Sequence, residues 1–181
     1  MASSFTPEQV ESATPDEWTG KPTAIVYTTT AEAAAWLTLR GLSAFSGSTE
    51  PLQDTALLNA TEEAEAYILP KIAGKPIQTG QRLYLPALGA YDEHMNLLST
   101  FAADLATNRS VARYLEGIYL IAEKMRAGTW RTATGTGASS KKRRKTTTYE
   151  VEYHDGADPE GLGEQHRDVE VKLLAIVPGI I

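Results

Sequence analysis

The stretch VARYLEGIYLIAEKMRA, residues 111–127, decides how the rest of the chain is read. Val111, Leu115, Ile118, Ala122 and Met125 recur at steps of four, three, four and three, which aligns them as one apolar stripe of an α-helix. Asn108 or Ser110 is placed to cap its start, and Gly128 to supply a left-handed residue just past its end. Arg113, Glu116, Glu123, Lys124 and Arg126 fall on the other faces and are expected to keep the helix soluble. A helix of this length owes its stability mainly to what it packs against, so its neighbours in sequence are read as partners for the stripe.

Upstream, residues 50–69 give a second long helix, with Pro51 in its first turn and Leu57, Leu58, Thr61, Ala64 and Ile68 on its inner face. Glu62, Glu63 and Glu65 read as its solvated side, Ala60 and Ala64 would admit another helix closely, and Pro70 stops it. Before it, Thr29 and Glu32 make a capping box for a shorter helix that points Ala33, Trp36 and Leu37 inward and ends at Gly41. TAIVYT, residues 23–28, is β-prone and reads as an edge strand or an extended lead-in. Between 71 and 96 the periodicity is lost to turn formers, with Arg82, Leu83, Tyr84 and Leu85 apolar and aromatic enough to fold back on the helices. Connections of that length in a compact domain usually act or pack in a defined way. Residues 97–106 suggest one more short helix.

Downstream, TATGTGASS (132–140) has the composition of a flexible linker and runs into KKRRK (141–145). Residues 147–153 alternate as a strand does. VEVKLLAIV (169–177) is strand-like and apolar, and PGII closes a hydrophobic C-terminus, a liability unless it docks somewhere.

At 181 residues and 42% hydrophobic content the chain can bury one modest core. It has no cysteine, so disulfides, zinc ribbons and thiol catalysis are excluded. No apolar run approaches the roughly twenty residues of a bilayer span, and residues 1–22 lack the apolar core of a signal peptide, so a soluble intracellular protein is expected. The net charge of -6 conceals a segregation. Residues 129–148 hold six bases (Arg131, Lys141, Lys142, Arg143, Arg144, Lys145) and no acid, leaving 11 bases against 23 acids, or -12, elsewhere. Such a block attracts polyanions, and it reads equally as a solvated loop.

No constellation of nucleophile, base and orienting group is legible. His94, His154 and His166 sit apart, without metal-ligand spacing, and read as surface residues. The glycines before Lys141 lack the phosphate-loop pattern, and His166-Arg167-Asp168 is a chance match to a kinase loop. No catalytic residue, metal or cofactor is assigned, and a non-enzyme is expected. The basic block is the strong signal: Lys141, Lys142, Arg143, Arg144 and Lys145 could contact DNA or an acidic partner. Aromatic residues are missing from the block itself; Trp130 and Tyr149 only flank it.

The expected fold is mainly α, a small bundle of three or four helices with extended N- and C-terminal arms and a late β-hairpin or strand pair. Four segments follow: an N-terminal arm (1–22), read as a surface arm ordered only by a partner; a helical core (23–128); a flexible basic linker (129–148); and a β-strand with an apolar C-terminal arm (149–181).

The order of segments also carries a resemblance. TAIVYTT, the helix AEAAAWLTLRG, the helix LLNATEEAEAYI, a Gly-Lys turn, a Leu-Tyr-Leu-Pro then Gly-Ala-Tyr-Asp loop, a long helix ending near Gly128 and a late YEVEY strand together resemble the head-tail connector or adaptor proteins of tailed bacteriophages, including the group labelled DnaT-like single-stranded-DNA-binding. The likeness covers residues 24–153; the family's Trp-Pro-Arg is here Leu85-Pro86-Ala87. It implies a virion structural role with no membrane partner, assembled in the host cytoplasm. Family members form a ring, typically of twelve copies, beneath the portal, through which genomic double-stranded DNA passes and to which a tail or neck completion protein binds. It also implies that the C-terminal segment holds the portal, through Leu173, Leu174, Ile176, Val177, Ile180 and Ile181. The alternative is a single-stranded-DNA or other nucleic-acid-binding module that uses residues 141–145.

Overall fold

The computed structural model describes residues 5–11, 18–71, 74–92, 94–98, 107–130, 141–145, 150–154 and 166–176. Among them the elements are α1 (Thr30–Thr38), α2 (Glu50–Ile68), β1 (Lys75–Pro76), β2 (Ala87–Leu88), α3 (Arg109–Arg126), β3 (Lys141–Lys145), β4 (Glu150–His154) and α4 (Arg167–Leu173). The fold is mainly α, as expected, with β1–β2 and β3–β4 as antiparallel pairs. No helix among the described residues is long and apolar enough to cross a membrane.

The organising helix is α3. Asn108 caps it, its side-chain oxygen accepting from the Ser110 and Val111 N–H groups at 2.9 and 3.3 Å, and Gly128 follows it with φ +70°. It buries more than one stripe: Tyr114, Gly117, Tyr119, Ile121 and Glu123 go inside along with Val111, Leu115, Ile118 and Ala122, while Met125 stays half-buried. The cause is tertiary, since α1, α2 and α4 all pack on it and a helix enclosed on several sides buries most of its circumference. Glu123 therefore does not meet solvent as its charge suggested. Its carboxylate accepts from the Ala44 and Phe45 N–H groups at 2.9 and 2.7 Å, anchoring the α1–α2 connection around the fully buried Phe45.

Helix α1 begins on the predicted cap, with the Thr29 hydroxyl oxygen accepting from the Glu32 N–H, while the Glu32 carboxylate accepts a hydrogen bond from the Thr28 hydroxyl. Gly41 closes it at φ +72°. In α2 the residues Leu57, Thr61, Ala64 and Ile68 are buried and Leu58 half-buried, and Glu65 is buried among them. The reading of Glu65 as solvated is corrected by its position: it follows Thr61 by four and precedes Ile68 by three, on the inner stripe itself.

Both ends differ from the arms expected. The described part of residues 1–22 packs on the core: Val10 makes a parallel bridge to Val26, and Trp18, 2% exposed, lies 5.0 Å from the Tyr27 ring. The buried Glu11 carboxylate accepts from the N–H groups of Thr19, Gly20 and Lys21, closing that segment on itself. The strand expected over 169–177 is instead α4 followed by a 3-10 turn, Leu174–Ile176. Val169, Leu173 and Ile176 recur at helical steps and are wholly buried; burial against α3 overrides the β-propensity of Val-Glu-Val. Gly117 makes the approach possible, because a Cβ there would sit 2.8 Å from Leu173 Cδ2 and 3.3 Å from the Leu173 nitrogen.

Candidate interaction site

The long connection after α2 packs in a defined way. Leu83, Tyr84 and Leu85 are buried, while Arg82, expected to fold in with them, is exposed. Glu65 holds this segment down: its carboxylate accepts from the Tyr27 hydroxyl, from the Tyr114 hydroxyl at 3.0 Å and from the Tyr84 N–H at 3.1 Å. Tyr27 in turn accepts from the Leu85 N–H at 3.0 Å. Burial raises the Glu65 carboxyl above its ordinary range, and the three donated bonds pull it only partly back. Burial, and then the adjacent Glu65 charge, also raise Tyr27 and Tyr114 well above a free phenol and push Tyr84 up to about 12. With all three phenols so far from ionisation at neutral pH, the cluster acts as an architectural clamp.

Beyond it, Gln81 donates to the Leu83 and Pro86 carbonyls at 2.7 and 2.9 Å and accepts from the Ile77 N–H. The chain then doubles back. Tyr91 and Leu97 form an antiparallel bridge, and the Leu98 N–H donates to the Ala90 carbonyl at 2.7 Å. Asp92 fixes the tip, accepting from the His94 and Asn96 N–H groups, both at 2.9 Å, and from the Asn96 amide at 3.1 Å. Met95 sits there at φ +65°, a conformation costly to a residue with a Cβ. Ala90 and Leu98 point inward, while Leu88, Met95 and Leu97 are 54%, 61% and 62% exposed. A braced turn thus offers large apolar side chains to solvent, the pattern of a contact surface.

Asp92→Ala should loosen this turn and leave the helices intact. Losing three accepted bonds at a partly buried carboxylate costs about 1–2 kcal/mol, and amide exchange at 94–98 should rise selectively. Burial opposes ionisation of Asp92, but the bonds from Asn96 and His94 prevail and its pKa is lowered. Its contribution is therefore present above the unfolded value near 3.8 and lost as pH falls through the folded one.

The predicted contact residues fall into two groups. Lys141, Lys142, Arg143, Arg144 and Lys145 are not part of a loop; they constitute β3, paired in register with His154, Tyr153, Glu152, Val151 and Glu150 of β4. Of the C-terminal docking residues, Leu173 and Ile176 are spent on the chain's own core and Leu174 is half-buried; Val177, Ile180 and Ile181 lie outside the described residues. So do the linker 132–140 and most of the short helix expected over 97–106, of which Leu97 is in the bridge to Tyr91. His94 is exposed, as predicted, but His166 is buried, with the Trp130 ring 4.6 Å away. Among the described residues no cluster of His, Asp and Glu is placed to hold a metal ion.

Comparison of the chain with models of protein families, with curated proteins and with solved structures finds no match.

Proposed function

We propose that this chain is a non-enzymatic structural subunit of the neck of a tailed bacteriophage, an adaptor in a ring that joins the portal of the DNA-filled head to the tail or the next neck protein. The observation that carries the reading is how the buried acids are used. Glu11, Glu65 and Glu123, each buried, and Asp92 all bind backbone N–H groups of loops, so these four carboxylates hold connections in fixed positions. A ring subunit needs that, because each copy must present the same loops to its neighbours at repeatable places. Leu88, Met95 and Leu97 on the Asp92 turn supply apolar surface for such a contact, and the order of segments adds the resemblance to connector proteins. With Leu173 and Ile176 turned inward, portal contact in this conformation falls to Leu174 and to residues 177–181.

Gold-labelled antibody against the chain, applied to purified particles, tests the proposal. Label confined to the single vertex where head meets tail is expected. Particles free of label, with the protein soluble in the lysate, would overturn the neck assignment.

A further inference from the structure

Residues 7–11 are held on the core in the way a bound peptide is held. The Gln9 carbonyl accepts from the Ile25 and Val26 N–H groups at 2.8 and 3.3 Å, and the Glu11 N–H donates to the Val26 carbonyl at 2.9 Å. The segment is thus added beside 25–26 through main-chain bonds, with Val10 and Val26 bridged in parallel. Side chains of the receiving stretch grip its carbonyls: the Lys21 ammonium donates to Val10 and Pro7 at 3.0 and 3.3 Å, and the Thr23 hydroxyl to Glu8 at 2.8 Å. The Glu11 carboxylate fills a run of N–H groups from residues 19–21, a backbone nest of the kind that captures anions. Gly20 makes the nest possible, since its φ is +73° and a Cβ there would run into the Gln81 amide oxygen. Strand addition with a captured carboxylate combines two recurrent modes of peptide recognition.

This geometry does not tie the strand to its own copy. A hairpin takes its register from the turn that joins its strands, whereas the bridge here is parallel and has no tight turn between its partners. Within 7–11 the apolar side chain buried is Val10, and the polar contacts around it can be supplied unchanged by another molecule. We propose that residues 18–26 are a docking site for residues 7–11 of a second copy of this chain, the Glu11 carboxylate of one copy entering the 19–21 nest of its neighbour. The bonds are the same within a copy and between copies, so effective concentration sets the balance, and association of copies raises it for the exchanged form. Passed from copy to copy in one direction, the contact is heterologous and closes a ring or extends a chain.

The chain has no cysteine, so introduced thiols report this contact alone. Bridged partners lie at a Cα spacing that a disulfide can span. The full chain with Val10→Cys and Val26→Cys should therefore oxidise to covalent multimers on a non-reducing gel, in growing yield as protein concentration is raised. Tagged Val10→Cys chains mixed with untagged Val26→Cys chains should give the tagged–untagged heterodimer. The unsubstituted chain supplies a readout free of any effect of the thiols on folding: a fluorescein-labelled, C-terminally amidated peptide of residues 5–11 should bind it, read by anisotropy. The same peptide with Glu11→Gln should bind about tenfold more weakly, because its charge-assisted bonds to the nest are lost. A double variant that forms only the internal disulfide at every concentration would overturn the proposal, as would one that forms none. Peptides that bind alike, or a parent chain that binds neither, would overturn it too. The exchange stands apart from the neck assignment, since vertex labelling with internal disulfides alone would leave that assignment in place.

Discussion

Glu65→Ala is expected to lower the melting temperature by roughly 10–15 °C, the largest loss from any single polar residue in the described core. The side chain is 8% exposed and takes hydrogen bonds from Tyr27, Tyr114 and the Tyr84 N–H. Removing it takes away the acceptor that these three buried donors share, each bond worth about 1–3 kcal/mol though not additively, and opens a small void besides. A total of about 3–5 kcal/mol is a large share of a typical domain's stability. Loss should begin where the clamp acts, so amides of 83–85 should exchange faster than those of α3 well below the melting temperature. A variant that melts with its parent would show that the clamp contributes nothing.

Glu65→Gln separates the hydrogen bonds from the charge. A glutamine keeps an oxygen for the two hydroxyls but turns an NH2 toward the Tyr84 N–H, which should cost about 1–2 kcal/mol. The folded protein holds the Glu65 proton more tightly than the unfolded chain does, because burial raises its pKa. Its contribution is therefore complete below the unfolded value of 4.5 and is lost as pH rises through the folded value. Stability of the parent relative to the glutamine variant should fall with rising pH across that window. Parallel pH profiles for the two proteins would contradict the sign.

The same residue marks the limit of what the sequence discloses. The α3 stripe, its Asn108 cap, its Gly128 stop, the Thr29 cap and the inner face of α2 were all legible, because local periodicity and capping chemistry do not depend on distant partners. Glu65, Glu123 and Glu11 were not, because a glutamate in a helix or arm reads as solvated by default. Their burial depends on loop N–H groups brought from up to 79 residues away. A signal for Glu65 did exist, in its place on the Thr61–Ile68 stripe. The C-terminal segment misled in the opposite direction, since alternating valines suggest a strand until the Gly117 gap in α3 is known.

That gap gives the second large effect. Leu173→Ala should cost about 2–5 kcal/mol, because Leu173 is fully buried and truncation leaves a cavity against α3. Gly117→Leu attacks the same contact from the other side. Its Cβ alone would meet Leu173 side-chain atoms at 2.8 and 3.2 Å, so a full leucine must push α4 away. The outcomes should differ from those at Glu65. Helix α4 has seven residues, too few to persist undocked, and the pairs Lys124–Asp168 and Lys172–Glu116 that tie it to α3 involve partly exposed groups worth little. Within α3 itself, replacing glycine with a good helix former gains about 1 kcal/mol, so α3 should survive while 167–176 unfolds. Hydrogen exchange should then report near-complete loss of protection in 167–176 and little change in 111–126. Trypsin should cut at Arg167 or Lys172 in the variant and spare both in the parent. If the neck assignment holds, the same variant decides how the tail docks. Leu173 and Ile176 become available only when α4 leaves α3, so a portal contact made by those two residues should strengthen in Gly117→Leu. A contact made by residues 177–181 alone should be indifferent to it, and a pull-down comparing the two proteins on portal rings distinguishes them.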